Sequence, residues 1–408
     1  MRPLLPTPML NHGSSAITGR YSYGRNSMAT STRRGLQAVV TAVAVGTAIA
    51  LSTGQAHAAS GVTAAPTCNG YEANIVGTPG SDTLTGTDNA DVIFADAGND
   101  VVFGLGEADI VCLGPGNDTF NGGAGDDLIV VDAAVDGADN VSGGPGRDLV
   151  DYSARTTPVT VTVDSVADDG APGEGDTTNP DVELLEGGSA GDTLTGSPSN
   201  TFEDIRGNEG NDTITSGAGG SSQLVGGPGN DTLRARAGAG DVSLFGSDGA
   251  DTLFGGPGND ILNGQAEADV MVGGLGNDLV IGGAGDDQSI AESTSADGAD
   301  EFRGGADIDT MSYSARNTPV AVSPDGRADD GAVIEGDNVN ATVENIRGGQ
   351  AGDFLYGNAL ANRLFGGTGS DTIRAVDGIS GNDVVDGAQG SGTDECTADP
   401  GDIISNCP

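Results

Sequence analysis

An all-β fold, a parallel β-roll wound as a solenoid, is what this 408-residue sequence predicts, and three observations carry the prediction. The first is a nine-residue unit repeated six times without a gap from Gly77 to Val130: GTPGSDTLT, GTDNADVIF, ADAGNDVVF, GLGEADIVC, LGPGNDTFN and GGAGDDLIV. A short fixed period means stacked units that share a continuous core. The second is composition: glycine supplies 71 residues, aromatics only 4%, and there is no Trp, too few large side chains for a conventional core. The third is phase, because the acids recur at one place in the unit rather than in runs.

Each part of the unit has a physical role. Position eight is apolar: Leu84, Ile93, Val102, Val111, Phe120 and Ile129 in the first run. With positions seven to nine extended, position eight faces one way and its neighbours the other, giving one inward side chain per strand. Glycines at positions one, two and four allow the positive-φ conformations of a tight corner. Two units then make one flattened coil with a strand on each side. Stacked coils pair their strands in parallel and leave open edges only at the two ends.

The unit divides the chain as follows. Residues 1–58 are an N-terminal extension and export signal, 59–151 a first roll block, and 152–186 an excursion from the repeat. A second block runs over 187–312, a second excursion over 313–347, a third block over 348–386, and a tail over 387–408. The excursions are copies. YSARTTPVTV, ADDG, EGD and VE in the first align without gaps to YSARNTPVAV, ADDG, EGD and VE 161 residues later. In the first copy, Val159 to Val163 alternates as a strand does, and Val182 to Leu185 reads as a second strand. We expect strands of the coil that bulge out through an acidic loop. Asp168, Asp169, Glu174 and Asp176 there form either a further cation site or partner surface, or a solvated loop.

Position six carries the candidate chemistry. It is Asp at Asp82, Asp91, Asp100, Asp109, Asp118 and Asp127, then at Asp139 and Asp148. In the second block it is Asp at Asp192, Asp212, Asp231, Asp251, Asp260, Asp269, Asp278, Asp287, Asp300 and Asp309, and in the third at Asp353, Asp371 and Asp383. The turn sets each carboxylate beside backbone carbonyls, a set of hard oxygens that suits Ca²⁺, whereas Mg²⁺ demands a strict octahedron. Successive units lie on opposite sides, so an ion is expected between unit n and unit n+2, stapling neighbouring coils. Asp212, Asp231 and Asp251 occupy position six in every second unit of the middle stretch, while Glu203, Ser222 and Val242 hold it in the intervening ones. Calcium is therefore expected along one side there and little along the other.

Charge narrows the partners. All 60 acids lie after position 58, against 11 of the 16 arginines, and there is no lysine. Such a polyanion repels nucleic acid and anionic lipid and attracts divalent cations. Without cations it stays expanded, because low hydrophobicity and high charge do not offset ordering entropy. Arg33 and Arg34, the apolar run Leu36 to Leu51 and Ala56-His57-Ala58 read as an export signal cut after Ala58, with Met28 a plausible start and no membrane span. Export favours disulfides, and the positions of the four cysteines favour Cys68–Cys112 and Cys396–Cys407.

Chemistry is narrowed as well. Both histidines, His12 and His57, precede the cut, so the exported chain has neither His nor Lys. Triads, histidine-bound zinc, Schiff-base and P-loop lysines are absent with them. Carboxylate-pair glycoside chemistry survives on composition, but Asp126-Asp127 and Asp286-Asp287 follow from repeat phase. A carbohydrate-active enzyme or an adhesin using the roll as scaffold is the alternative. Thr83, Thr119, Thr213, Thr232 and Thr252 stand at position seven, yet Val92, Val101, Ile110 and Leu128 stand there in other units, so no regular outward lattice is evident.

Over roughly residues 75 to 386 these repeats resemble the RTX family, the hemolysin-type calcium-binding repeat proteins. The resemblance implies a parallel β-roll with calcium held in the turns by the position-six aspartates. Cys68-Asn69-Gly70 and the tail from Asp394 to Cys407 look like the ends of secreted actinobacterial members. Two departures stand out: the export signal is N-terminal, whereas RTX toxins usually use a C-terminal one, and the toxin and protease domains that often accompany such repeats are lacking. The expectation is a secreted calcium-binding structural or cell-surface protein, with a cell-wall or matrix glycan or protein as possible partner.

Overall fold

The computed structural model describes residues 65–199, 202–291, 297–333, 335–388 and 392–407. The export signal and its cut after Ala58 lie outside the described residues. The described residues form one compact unit.

The described elements are all strands, and the register of pairing is the register of the repeat. Leu84 pairs with Val102 and Val102 with Phe120, while Ile93 pairs with Val111 and Val111 with Ile129. Every partner is thus two units on, as a coil of two units requires. The strands form a 13-stranded sheet from Ile75–Val76 to Asn338–Val339 and a 12-stranded sheet from Thr160–Thr162 to Ile403–Ser405, with a 5-stranded sheet at each end. Strand pairing is parallel except in the leading hairpin, Thr67–Cys68 with Tyr71–Glu72, and where Val320–Val322 meets Gly331–Ala332, with isolated antiparallel bridges at Thr78–Gly80 and within the excursions. The parallel β-roll is borne out.

One thin core runs the length of the roll. Ile93, Val102, Val111, Phe120 and Ile129 are buried and join the position-eight residues of later coils in a single cluster. Position four shows why glycine recurs. Gly276 has φ 131°, and a Cβ there would overlap the carbonyl oxygen of Gly258, one coil before it.

The leading hairpin lies across the outer face of the long sheet. Cys68 packs there with Ile110 and Leu128, beside Val92, and bonds to Cys112. Val92, Ile110 and Leu128, which interrupt the position-seven threonines, are therefore a covered patch, whereas Val101 lies on the other side of the roll. Cys396 pairs in register with the core residue Ile373 and bonds to Cys407, closing the last coil across its two sides.

The excursions differ from the expected outward loops. In the first, Thr160–Thr162 stacks forward on Thr193–Thr195, the chain reverses through Gly170, and Thr177–Thr178 stacks backward on Asn140–Ser142. Asp168 is exposed, but Asp169, Glu174 and Asp176 are buried. They are drawn in by backbone N–H groups and by Arg155, a residue with no exposed surface that the sequence reading gave no role. The first copy interrupts the side built from the first 5-stranded sheet and the 12-stranded one, and the second interrupts the opposite side.

Candidate metal sites

The turns stack as hydrogen-bonded ladders of aspartates. The backbone N–H of Asp91 donates to Oδ1 of Asp109, Asp109 to Asp127, and Asp127 to Asp148, at 2.8–2.9 Å. On the other side Asp82, Asp100, Asp118 and Asp139 are linked in the same way. In the second block one ladder runs unbroken through Asp192, Asp212, Asp231, Asp251, Asp269, Asp287 and Asp309. The other resumes only at Asp260, which continues to Asp278 and Asp300. In the third block Asp353 leads to Asp371, and Asp383 accepts from Asn362.

The second carboxylate oxygen sorts these residues into two kinds. In Asp82, Asp91, Asp192 and Asp353 it accepts the N–H of residue two of the same unit, Thr78, Thr87, Gly188 and Gly349, each at 2.6 Å. In Asp100, Asp109, Asp118, Asp127, Asp148, Asp212, Asp231, Asp251, Asp260, Asp269, Asp278, Asp287, Asp309, Asp371 and Asp383 it is buried with no hydrogen-bond partner. Backbone conformation goes with this difference. Residue two has positive φ in every turn of the second kind except that of Asp383, for example 84° at Leu105, 98° at Gly123 and 114° at Gly227. In the four closed turns it does not.

A buried carboxylate oxygen without a partner is costly, and a cation is one way to satisfy it. Beside several of these oxygens stands a main-chain carbonyl of the next coil. A Cβ on Gly122 would meet Oδ2 of Asp127 and the carbonyl oxygen of Gly143, and one on Gly207 would meet Oδ2 of Asp212 and that of Gly226. Among the described residues no three acidic, His or Cys side chains converge on one point. A metal there would draw mostly on main-chain carbonyls with a carboxylate from the turn, a hard oxygen set that Ca²⁺ accepts at flexible geometry.

Burial makes ionisation unfavourable in these turns. Desolvation raises Asp109 to about 7, opposed by its hydrogen bond from Asp91 and reinforced by the charge of Asp127. Asp148 is raised to about 8 by burial, with Asp127, Glu183 and Asp181 adding to it. A bound cation acts in the opposite direction, favouring the charged form.

In the middle stretch Asp212, Asp231 and Asp251 immediately precede strands of the 12-stranded sheet, while Glu203, Ser222 and Val242 lie on strands of the 13-stranded sheet. The two alternating sets thus fall on different sides. Glu203 accepts from the Gly217 N–H and the Ser222 hydroxyl.

The ladders also include acids outside the phase of the nonapeptide, of which the sequence marked Asp176 as part of a candidate further cation site and gave Asp337, Glu183, Glu344 and Asp394 no such role. Asp176 and Asp337 accept from Asp139 and Asp300, Glu183 and Glu344 from Asp148 and Asp309, and Asp394 from Asp371. Eighteen-residue spacing is lost across the excursions, which hid them. The EGD and VE segments shared by both copies were the signal that marked them.

Among the described residues no helix is long and apolar enough to cross a membrane. A comparison with curated proteins gives no match. The family model described as RTX calcium-binding nonapeptide repeat (4 copies) matches residues 76–111, 114–136, 133–151, 200–220, 216–239, 225–262, 254–289, 340–373 and 356–394. These segments cover more than half of the chain and coincide with coils whose turns hold buried, partnerless carboxylate oxygens. The protein belongs to the RTX calcium-binding nonapeptide repeat family.

Proposed function

We propose that this is a secreted, non-catalytic calcium-binding protein of the cell surface or matrix, whose roll folds as its turns take up calcium. The partnerless Oδ2 atoms of the open turns carry this reading. The unfolded chain has no such arrangement of oxygens, so the free energy of binding is also free energy of folding. Asp109 and Asp127 hold the ion side of one ladder together with carbonyls such as that of Gly122, tying adjacent coils. On the order of ten or more ions fit the open turns, with Kd on the order of 10⁻⁴ to 10⁻³ M if the sites are of the extracellular kind. Such sites are empty in cytoplasm and filled outside, which makes the fold a compartment switch. The lack of His and Lys after position 58 supports the non-catalytic reading.

Calcium titration followed by circular dichroism, with magnesium as control, tests this. β signal lost in chelator and regained with calcium but not magnesium is expected. Full β signal in excess chelator would overturn calcium-driven folding.

One observation favours adhesion as the specific role. Thr160, Thr193, Thr213, Thr232 and Thr252 stack in register on the 12-stranded sheet, flanked by Thr162, Thr195 and Thr215. The sequence mixes both sides of the roll and conceals this ladder. Retention on an insoluble cell-wall glycan, lost when Thr193 and Thr213 are changed to Asp, is the expected sign.

A further inference from the structure

The two excursions handle their buried acids differently from the open nonapeptide turns, and without the Asp-to-residue-two contact of the closed ones. In an open turn one carboxylate oxygen is left without a partner. In the first excursion both oxygens of Asp169, Glu174 and Asp176 have one, while Oδ1 of Asp181 in the same segment is buried without a partner. Asp169 accepts the N–H groups of Thr162 and Thr178 at 2.6 and 2.8 Å. Glu174 accepts Nη2 of Arg155 and the Asp136 N–H through Oε1, and the Ala171 N–H through Oε2. Asp176 accepts the Asp139 N–H on one oxygen and the Tyr152 hydroxyl on the other.

The second copy repeats the arrangement. Arg316 pairs with Asp297 and Glu335, Asp330 accepts from Ser323 and Val339, and the Tyr313 hydroxyl donates to Asp337 at 2.9 Å. Arg155, Arg316, Tyr152 and Tyr313 are among the most deeply buried side chains of the protein. A guanidinium lost from such a position leaves two carboxylates buried without a counter-charge.

We propose that the excursions are cation sites of a second kind, in which Arg155 and Arg316 of the chain itself stand where calcium stands in the repeats, so that residues 152–186 and 313–347 keep their fold when calcium is withdrawn. This rests on the calcium-driven folding proposed above for the repeats. Each excursion is bonded within itself: Thr160 and Gly170 exchange both backbone hydrogen bonds, as do Asp169 and Asp176. Tyr152, Val159, Val161, Val163, Ala171 and Val182 give it apolar residues of its own to bury. Two pre-formed segments in an ion-free chain would offer starting edges onto which coils add in both directions as calcium rises.

Hydrogen exchange of the full chain by mass spectrometry, in excess chelator and in calcium, tests this. Peptides over 160–178 and 320–339 should stay protected in chelator while those over 246–290 lose protection. Equal loss in both classes overturns the proposal and leaves calcium-driven folding standing. Equal retention overturns both. Arg155→Met gives a second reading with an internal control. Protection in chelator should be lost at 160–178, kept at 320–339, and restored at 160–178 by calcium, since the freed acids then need an ion. Unchanged protection at 160–178 in chelator, or loss that calcium does not restore, overturns the assignment of the guanidinium as the resident cation.

Discussion

At the scale of the residue, one backbone angle goes with two kinds of turn that the repeat formula treats as one, the turn of Asp383 excepted. Asp269 and Asp192 are both buried position-six aspartates, yet Oδ2 of Asp269 has no partner, whereas Oδ2 of Asp192 takes the Gly188 N–H. Asp269→Asn is therefore expected to weaken calcium binding by at least about tenfold at its site. Asp192→Asn should change affinity and stoichiometry less, both read by isothermal titration. Equal losses would mean that the closed turns open in calcium. Position four gives a steric counterpart. Gly276→Ala adds a Cβ where the Gly258 carbonyl already stands, at a φ of 131°, and should cost roughly 1–3 kcal/mol in a denaturant titration of the calcium-loaded protein. Part of this was legible in the sequence. Thr at position two in Thr78 and Thr87 disfavours positive φ, because a β-branched side chain crowds the backbone there. Gly188 and Gly349 are closed without any such sign, since glycine is free to adopt either conformation.

At the scale of the element, periodicity made the coils legible because a strand needs only an apolar residue at position eight and a corner on each side. The stacked strands through Ile93, Val111 and Ile129 follow directly from the spacing of 18 residues. The excursions were opaque for the opposite reason. Their order comes from contacts across about 20 residues, such as Arg155 with Asp136 and Glu174, and no period marks such contacts. The leading hairpin was equally hidden, although Ile110 and Leu128 at outward positions were its trace. The Cys68–Cys112 bridge spans 44 residues, for which loop-closure entropy gives about 4 kcal/mol. Replacing both cysteines by serine should lower the unfolding free energy of the calcium-loaded protein by roughly 2–4 kcal/mol and raise exchange at residues 67–76. An unchanged midpoint would mean that packing on Ile110 and Leu128 suffices to hold the hairpin.

At the scale of the whole molecule, the roll confines like charges to two rows of turns, and protonation offers a second way to neutralise them. The net charge is −44, and the acids in the turns lie one coil apart. Burial raises Asp109, Asp212, Asp231, Asp260, Asp269 and Asp278 from 3.8 to about 7 in the ion-free fold, with neighbouring carboxylates or acids adding to the effect. A carboxylate whose folded value is raised binds its proton more tightly in the folded chain than in the unfolded one. Its contribution to stability is full below 3.8, falls as pH rises toward 7, and is gone above that. The ion-free protein should accordingly gain β signal in circular dichroism as pH is lowered from about 8 to 5, a gain that calcium at pH 8 makes unnecessary. Over the same interval protons compete with calcium for the same oxygens, so the apparent affinity for calcium should fall as pH drops below about 7. An ion-free spectrum that does not change between pH 8 and 5 would show that charge in the turns is not what keeps the chain unfolded, and the cause would then lie in the thin core of one apolar side chain per strand.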